Sequence, residues 1–166
     1  MLEDCVNLRK IASPTANSFA NITHFNWAFG ECTSLTSIPA DLFANCQNVT
    51  NFSYAFSGCI SLTNIPADLF ANCQNVTNFR YAFSDCTSLT NIPADLFANC
   101  SNVTDFWFTF EGCTNLTGNA PELWKRVPDG ETNEYIGTPN GEGCFYNCTN
   151  LTNYEQIPEY WKQELK

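Results

Sequence analysis

Residues 33–59 read TSLTSIPADLFANCQNVTNFSYAFSGC, residues 60–86 read ISLTNIPADLFANCQNVTNFRYAFSDC, and residues 87–113 read TSLTNIPADLFANCSNVTDFWFTFEGC. The first two differ at 4 of 27 positions. A worn copy, VNLRKIASPTANSFANITHFNWAFGEC, precedes them from Val6. A copy lengthened by eight residues follows from Thr114 to Cys148, and a partial one, TNLTNYEQIPEYWKQELK, begins at Thr149. A unit this short cannot bury its own apolar face, so the copies must stack as turns of a solenoid in which equivalent positions form columns.

The core columns follow directly. Leu35, Leu62, Leu89 and Leu116 form one, and Ile38, Ile65 and Ile92 another. Leu42/Phe43, Leu69/Phe70, Leu96/Phe97 and Leu123/Trp124 form two more, and Val49, Phe52 and Phe56 begin three further columns that recur as Ile22, Phe25 and Phe29 in the worn first copy. Core packing accounts for these aromatics better than a cofactor pocket does.

Local signals set the elements within each turn. In IPADLFANC, Pro39 suits a first helical position, Asp41 suits the first turn of a helix dipole, and Asn45 can end the turn, which predicts one short helix or 3-10 turn per repeat. In NVTNFSY, apolar Val49, Phe52 and Tyr54 are interleaved with Asn51 and Ser53, which predicts an extended strand that pairs in parallel with its copies.

The segment NVTNFSYAFSGCISLTNIPADLF, residues 48–70, resembles a leucine-rich repeat, with Val49, Phe52 and Tyr54 at the strand leucines and LTNIPADLF as the returning arm. Its FxxC and CxxLTxIP elements are similar to the BspA-like class, known from surface proteins of host-associated bacteria and some parasitic protists. The expected fold is an α/β repeat solenoid. More fully, it is a right-handed leucine-rich-repeat superhelix with one short parallel strand and short helical or 3-10 turns per 27-residue repeat. The chain reads as a single domain, 1–166. Residues 5–112 are four regular turns, 113–147 a lengthened turn with a loop, and 148–166 a C-terminal cap. The resemblance implies a cell-surface or secreted, adhesive, protein-binding repeat protein, although the N-terminus MLEDCVNLRK lacks the pattern of a signal peptide.

Composition removes several functions. With 17 Asp+Glu against 7 Lys+Arg the net charge is -10, which excludes nucleic acid as a partner. No apolar run reaches the roughly 18 residues of a membrane span, so no membrane insertion is expected. Eight of the ten cysteines occupy repeat columns, where they read as small buried hydrophobes with free thiols. In-register neighbours sit ~4.8 Å apart, too far for the usual ~3.8 Å between disulfide Cβ atoms. Cys144 and Cys148 are the one pair for which a local bridge is open. Zinc is disfavoured because four ligands would have to converge from a linear column and the only histidine, His24, lies off both cysteine ladders.

Catalysis is not expected, since no base accompanies a nucleophile, and neither is a metal or any other cofactor. The column Asp41, Asp68, Asp95 is explained by its helix-start position, and the run DGETNE, residues 129–134, reads as an exposed turn without calcium-loop spacing. An enzyme would have to use that acidic loop, through Glu131 or Glu134. Nine N-x-S/T sequons, among them those at Asn48, Asn75 and Asn102, are placed periodically and read as structural asparagines.

Function is therefore sought where near-identical copies differ on one surface. Residues between the strand core positions point outward, giving His24, Asn51, Asn78 and Asp105 in one column and Asn26, Ser53, Arg80 and Trp107 in the next. Arg and Trp are typical interface hot spots, and these eight residues form the expected ligand-binding face for a protein or glycan. Drift at unconstrained positions would leave the same pattern, and a structural segment of a longer surface, fibre or phage protein, with no ligand of its own, is the rival reading. The loop between Trp124 and Cys144 reads as part of a C-terminal cap or as a second binding element. The apolar first turn around Leu8 and Ile11 is expected to invite end-to-end self-association.

Overall fold

The computed structural model describes residues 4–15, 18–126 and 139–163. The loop residues Asp129–Glu134, including Glu131, lie outside the described residues. What holds the turns in register is a repeated set of backbone bonds. Phe25, Trp27, Phe29 and Glu31 each donate an N–H to Asn51, Ser53, Ala55 and Ser57 of the next turn, at 2.8, 3.1, 2.9 and 2.7 Å. The set recurs one turn on, from Phe52, Tyr54, Phe56 and Gly58 to Asn78, Arg80, Ala82 and Ser84.

The alternate N–H groups go elsewhere. Ala28, Gly30 and Cys32 donate back within their own turn to Phe25, Trp27 and Phe29, three residues earlier. This reverses the chain after a single extended residue. The expected strands are accordingly cut to isolated parallel bridges, His24 to Asn51, Asn51 to Asn78, Asn78 to Asp105 and Asp105 to Asn140, with one more from Lys10 to Ser37. The IPADLF segments likewise form separate three-residue turns, Leu42 N–H to Pro39 and Ala44 N–H to Asp41, instead of a helix. Among the described residues, helical structure is confined to Leu123–Lys125, Tyr154–Gln156 and Glu159–Lys162.

The core is a set of aromatic ladders. Phe25, Phe52, Phe79 and Phe106 stack at 5.6, 5.6 and 6.0 Å between ring centroids, and Phe29, Phe56, Phe83, Phe110 and Phe145 at 5.2 to 6.0 Å. A third ladder, Phe43, Phe70 and Phe97, meets the first at a steep angle, with Phe70 4.7 Å from Phe79. Offset stacking along each ladder and tilted contact between ladders are the two arrangements that the ring quadrupole favours. The columns read from the sequence are buried: Leu35, Leu62, Leu89, Leu116, Val49 and Val76 are all completely enclosed.

At the far end, Gly141 takes the place of Phe106, and the ring of Trp161 lies over it. Phe145 donates its N–H to Trp161 and Gly143 to Tyr160, so the C-terminal segment supplies the carbonyls that a following turn would give. No helix among the described residues is long and apolar enough to cross a membrane.

Phe79 touches rings of two ladders and is fully buried. Phe79→Ala is expected to lower unfolding stability by about 3–5 kcal/mol, because the stacked turns above and below hold the cavity open. Urea denaturation followed by circular dichroism measures this, and a loss under about 1 kcal/mol would show that the ladders are not what holds the turns together.

Candidate functional site

The eight residues expected on the recognition face sit on successive turns, and the backbone around them explains how. Asn51 Oδ1 accepts the N–H of Ser53 at 2.7 Å, Asn78 Oδ1 that of Arg80 at 2.8 Å, and Asp105 Oδ1 that of Trp107 at 2.9 Å. Each is a local turn in which the side chain takes a bond that a strand would otherwise make. The column is half-buried from Asn51 onward and serves the chain's own backbone, while the exposed His24 pairs through Nδ1 with Thr23 Oγ1 at 2.8 Å. The outward-pointing side chains expected of this column are thus engaged inward, because the extended stretch is one residue long.

The second column, Asn26, Ser53, Arg80 and Trp107, carries its chemistry in the side chains. The carbonyls of Ser53, Arg80 and Trp107 accept N–H groups from Trp27, Tyr54 and Tyr81, whatever the side chain. Arg80 lays its guanidinium 3.4 Å from the centre of the Trp107 ring and 5.8 Å from that of Tyr81. Such a cation–π contact contributes about 0.5–1 kcal/mol where exposed. Trp107 Nε1 is buried and has no hydrogen-bond partner, at a cost of about 1–3 kcal/mol. Burial raises the carboxyl of neighbouring Asp105 above its usual range, opposed by the Trp107 N–H and by Arg80.

Beside this column runs a ring ladder of which the sequence showed only Tyr54, read there as a strand leucine equivalent. Trp27, Tyr54, Tyr81 and Phe108 all have left-handed backbone, with φ of 58, 58, 53 and 51°. The turn set by Asn51 or its equivalent brings the chain to this conformation, and the rings stack at 4.2, 4.7 and 5.2 Å. Tyr54 therefore does not fill a strand leucine position: it is half-buried, and Phe56, two residues on, points into the core. The cost of a left-handed non-glycine residue, about 1–3 kcal/mol, is offset by ring stacking. The repeated Trp27, Tyr54 and Tyr81 was a visible signal, but period-two alternation fitted it equally well.

The thiols from Cys32 to Cys148 are buried. None of the ten cysteines forms a disulfide. Cys59, Cys86, Cys113 and Cys148 donate S–H to the carbonyls of Phe29, Phe56, Phe83 and Phe110 in the turn before, at 3.2, 3.2, 3.1 and 2.9 Å. Burial pushes Cys46 and Cys59 up to about 12 and Cys100 up to about 11. Among the described residues no group of three His, Cys, Asp or Glu side chains is placed to hold a metal ion. Asp41, Asp68 and Asp95 accept the N–H of Ala44, Ala71 and Ala98 on their backbone carbonyls and close turns. The sequon asparagines Asn48, Asn75 and Asn102 donate Nδ2 to Ala20, Gln47 and Gln74 in the turn before.

A model of the BspA type leucine-rich repeat region matches residues 1–120 with six copies. The chain belongs to the BspA-type leucine-rich repeat family. Leucine-rich repeat proteins are generally non-catalytic and commonly bind proteins, and the BspA-like family is often surface-associated. No curated protein matches the chain. Among solved structures, a leucine-rich repeat protein from Bacteroides ovatus is 20% identical over 72% of this chain and 33% of its own, with a TM-score of 0.29. The APL1 leucine-rich repeat domain is 15% identical over 69% and 37%, with a TM-score of 0.33. The T. pallidum leucine-rich repeat protein is 22% identical over 68% and 69%, with a TM-score of 0.24. The chain thus spans about a third of the length of the first two.

Two measurements test these assignments in the BspA-type chain. Asn78→Ala removes the acceptor of the Arg80 N–H and should cost about 1 kcal/mol in urea denaturation, whereas Asn78→Asp, the residue found at 105, should cost little. Equal losses would show that the side-chain acceptor does not define the turn. Thiols in the unfolded chain ionise near 9, while the buried ones stay protonated up to about 11 and about 12, so the unfolded state releases protons that the folded state keeps. Stability is therefore fully present below about pH 9 and falls as pH rises beyond it. The urea midpoint in reducing buffer should drop between about pH 9 and about pH 12, and Cys59→Ala should flatten that drop.

Proposed function

We propose that the chain is a non-catalytic recognition module, secreted or displayed at a cell surface, that binds a protein or glycan through the face bearing His24, Asn26, Asn51, Ser53, Asn78, Arg80, Asp105 and Trp107. The observation that carries this reading is the second column. Its backbone bonds are the same in successive turns, 3.1 Å at Ser53, 2.8 Å at Arg80 and 2.9 Å at Trp107, while its side chains run from a serine to an arginine to a tryptophan. A position that the fold does not use is where a repeat array can acquire specificity, and Arg and Trp are the types enriched at interface hot spots. Family membership supports a protein-binding repeat module in general terms.

A second reading, in which the chain is a structural segment stacked on further repeats, draws on its first turn. Ile22 is 40% exposed, where its equivalents Val49 and Val76 are completely buried. The expectation of self-association through this turn named Leu8 and Ile11, which are half-buried against the core.

A screen of the wild-type chain on glycan and host-protein arrays, beside an Arg80→Ala/Trp107→Ala variant with unchanged circular dichroism, tests the proposal. Specific binding by the wild type that falls at least tenfold in the variant is expected, since two hot-spot residues are removed together. Binding unchanged in the variant overturns the assignment of this face, and no binding by either favours the structural segment.

A further inference from the structure

We infer that Arg80 and Trp107 form a binding site for a sugar ring bearing a carboxylate, with the guanidinium and the indole N–H as its two donors. The inference rests on the recognition-face reading above and names the chemistry of its ligand. Trp107 Nε1 is the one buried side-chain polar atom without a hydrogen-bond partner among the described residues. In the solenoid around it, thiols, hydroxyls and amides are bonded to carbonyls of the preceding turn. The guanidinium of Arg80 lies across the indole ring, 3.4 Å from its centre, and shields it. Arg80 is long, flexible and half-exposed, so a ligand can displace it from the flat face of the ring that it covers.

The donor and acceptor balance selects the ligand. Asn78 Oδ1 already accepts the Arg80 N–H at 2.8 Å, and Asp105 Oδ1 the Trp107 N–H at 2.9 Å. The carbonyls of Arg80 and Trp107 accept from Tyr54 and Tyr81 at 2.8 and 2.9 Å. What these two residues still offer a ligand are donors: the five N–H groups of the guanidinium and the indole N–H. A carboxylate, which only accepts and matches the guanidinium fork, is the complementary group. The uncovered indole face then takes the apolar face of a pyranose. Net charge of -10 opposes polyanions at long range, which favours a single acidic sugar over a sulfated polymer. Asn26 and Ser53, the equivalents in earlier turns, carry neither ring nor cation, so this column holds one such site among the described residues.

The test is nitrogen-15 NMR of the full chain, following the indole N–H signals of its four tryptophans, with Trp107 assigned from Trp107→Phe. Glucuronate should shift the Trp107 signal saturably at one site per chain. Methyl glucoside, acetate and N-acetylglutamate should shift it at least tenfold more weakly at equal concentration. Arg80→Lys, which keeps the charge and loses the fork, should weaken glucuronate binding about tenfold. A Trp107 signal that glucuronate does not move overturns the inference. An equal response to methyl glucoside overturns the carboxylate, and an equal response to N-acetylglutamate overturns the sugar ring in favour of an acidic peptide. If glucuronate is silent while Arg80→Ala/Trp107→Ala still loses a partner on the arrays, the sugar acid is rejected and the recognition face stands.

Discussion

The structure depends on the register of N–H groups donated from one turn to the next: Phe25 to Asn51, Trp27 to Ser53, Phe29 to Ala55, Glu31 to Ser57. These bonds require the same number of residues in each turn, and they superimpose equivalent side chains. Once superimposed, a ring must sit on a ring, as Phe52 does on Phe25 and Phe79 on Phe52. The strict period of 27 and the repeated phenylalanines are thus two consequences of one constraint. The same bonds explain why strands do not lengthen. Only every second N–H crosses to the neighbour, and the intervening ones curl back three residues, as Ala28 does to Phe25.

Polar side chains add to the register that the backbone sets. Thr50, Thr77 and Thr104 each add an Oγ1 bond to the carbonyl that the backbone already uses, at 3.3, 3.2 and 3.3 Å, and Thr63, Thr90 and Thr117 do so on a second edge. Asn48, Asn75 and Asn102 bind the carbonyls of Ala20, Gln47 and Gln74. Neutral donors suit in-register stacking because identical charges a few ångströms apart would repel, while identical amides and hydroxyls bond head to tail. It suits a chain with only 14% charged residues, and the column Asp41, Asp68, Asp95, which repeats one charge per turn, is exposed to water. It also leaves few surface columns free of structural duty.

Legibility in the sequence followed the same division. Columns that serve packing could be read one by one, and Leu35, Ile38, Phe43, Val49 and Phe52 are buried as expected. The stacking of turns could be read too, because the near-identity of three copies admits few alternatives. Tyr54 could not, since apolar Val49, Phe52 and Tyr54 fit a strand by spacing and nothing in an Asn-Phe-Ser-Tyr run declares a left-handed tyrosine. A weaker clue lay four residues on, where Glu31, Gly58, Asp85 and Gly112 alternate with glycine and all have positive φ. The role of Trp161 was hidden for another reason: its partner is a missing side chain, Gly141, which lies 35 residues after Phe106 instead of 27 because the long loop intervenes.

The candidate face shows how a rigid register and a variable surface coexist. Side chains at Asn51, Asn78 and Asp105 are committed to the turn, so substitution there is limited to groups that accept a hydrogen bond, and the one change among these three copies, to Asp105, keeps the acceptor. At Ser53, Arg80 and Trp107 the carbonyl is committed and the side chain is not. One column of the face, with members one turn apart, is thereby free to vary, which lets residues from neighbouring repeats meet. The contact of Arg80 with Trp107 is such a meeting: neither residue's own repeat contains the other, and the pair exists because the register sets them side by side.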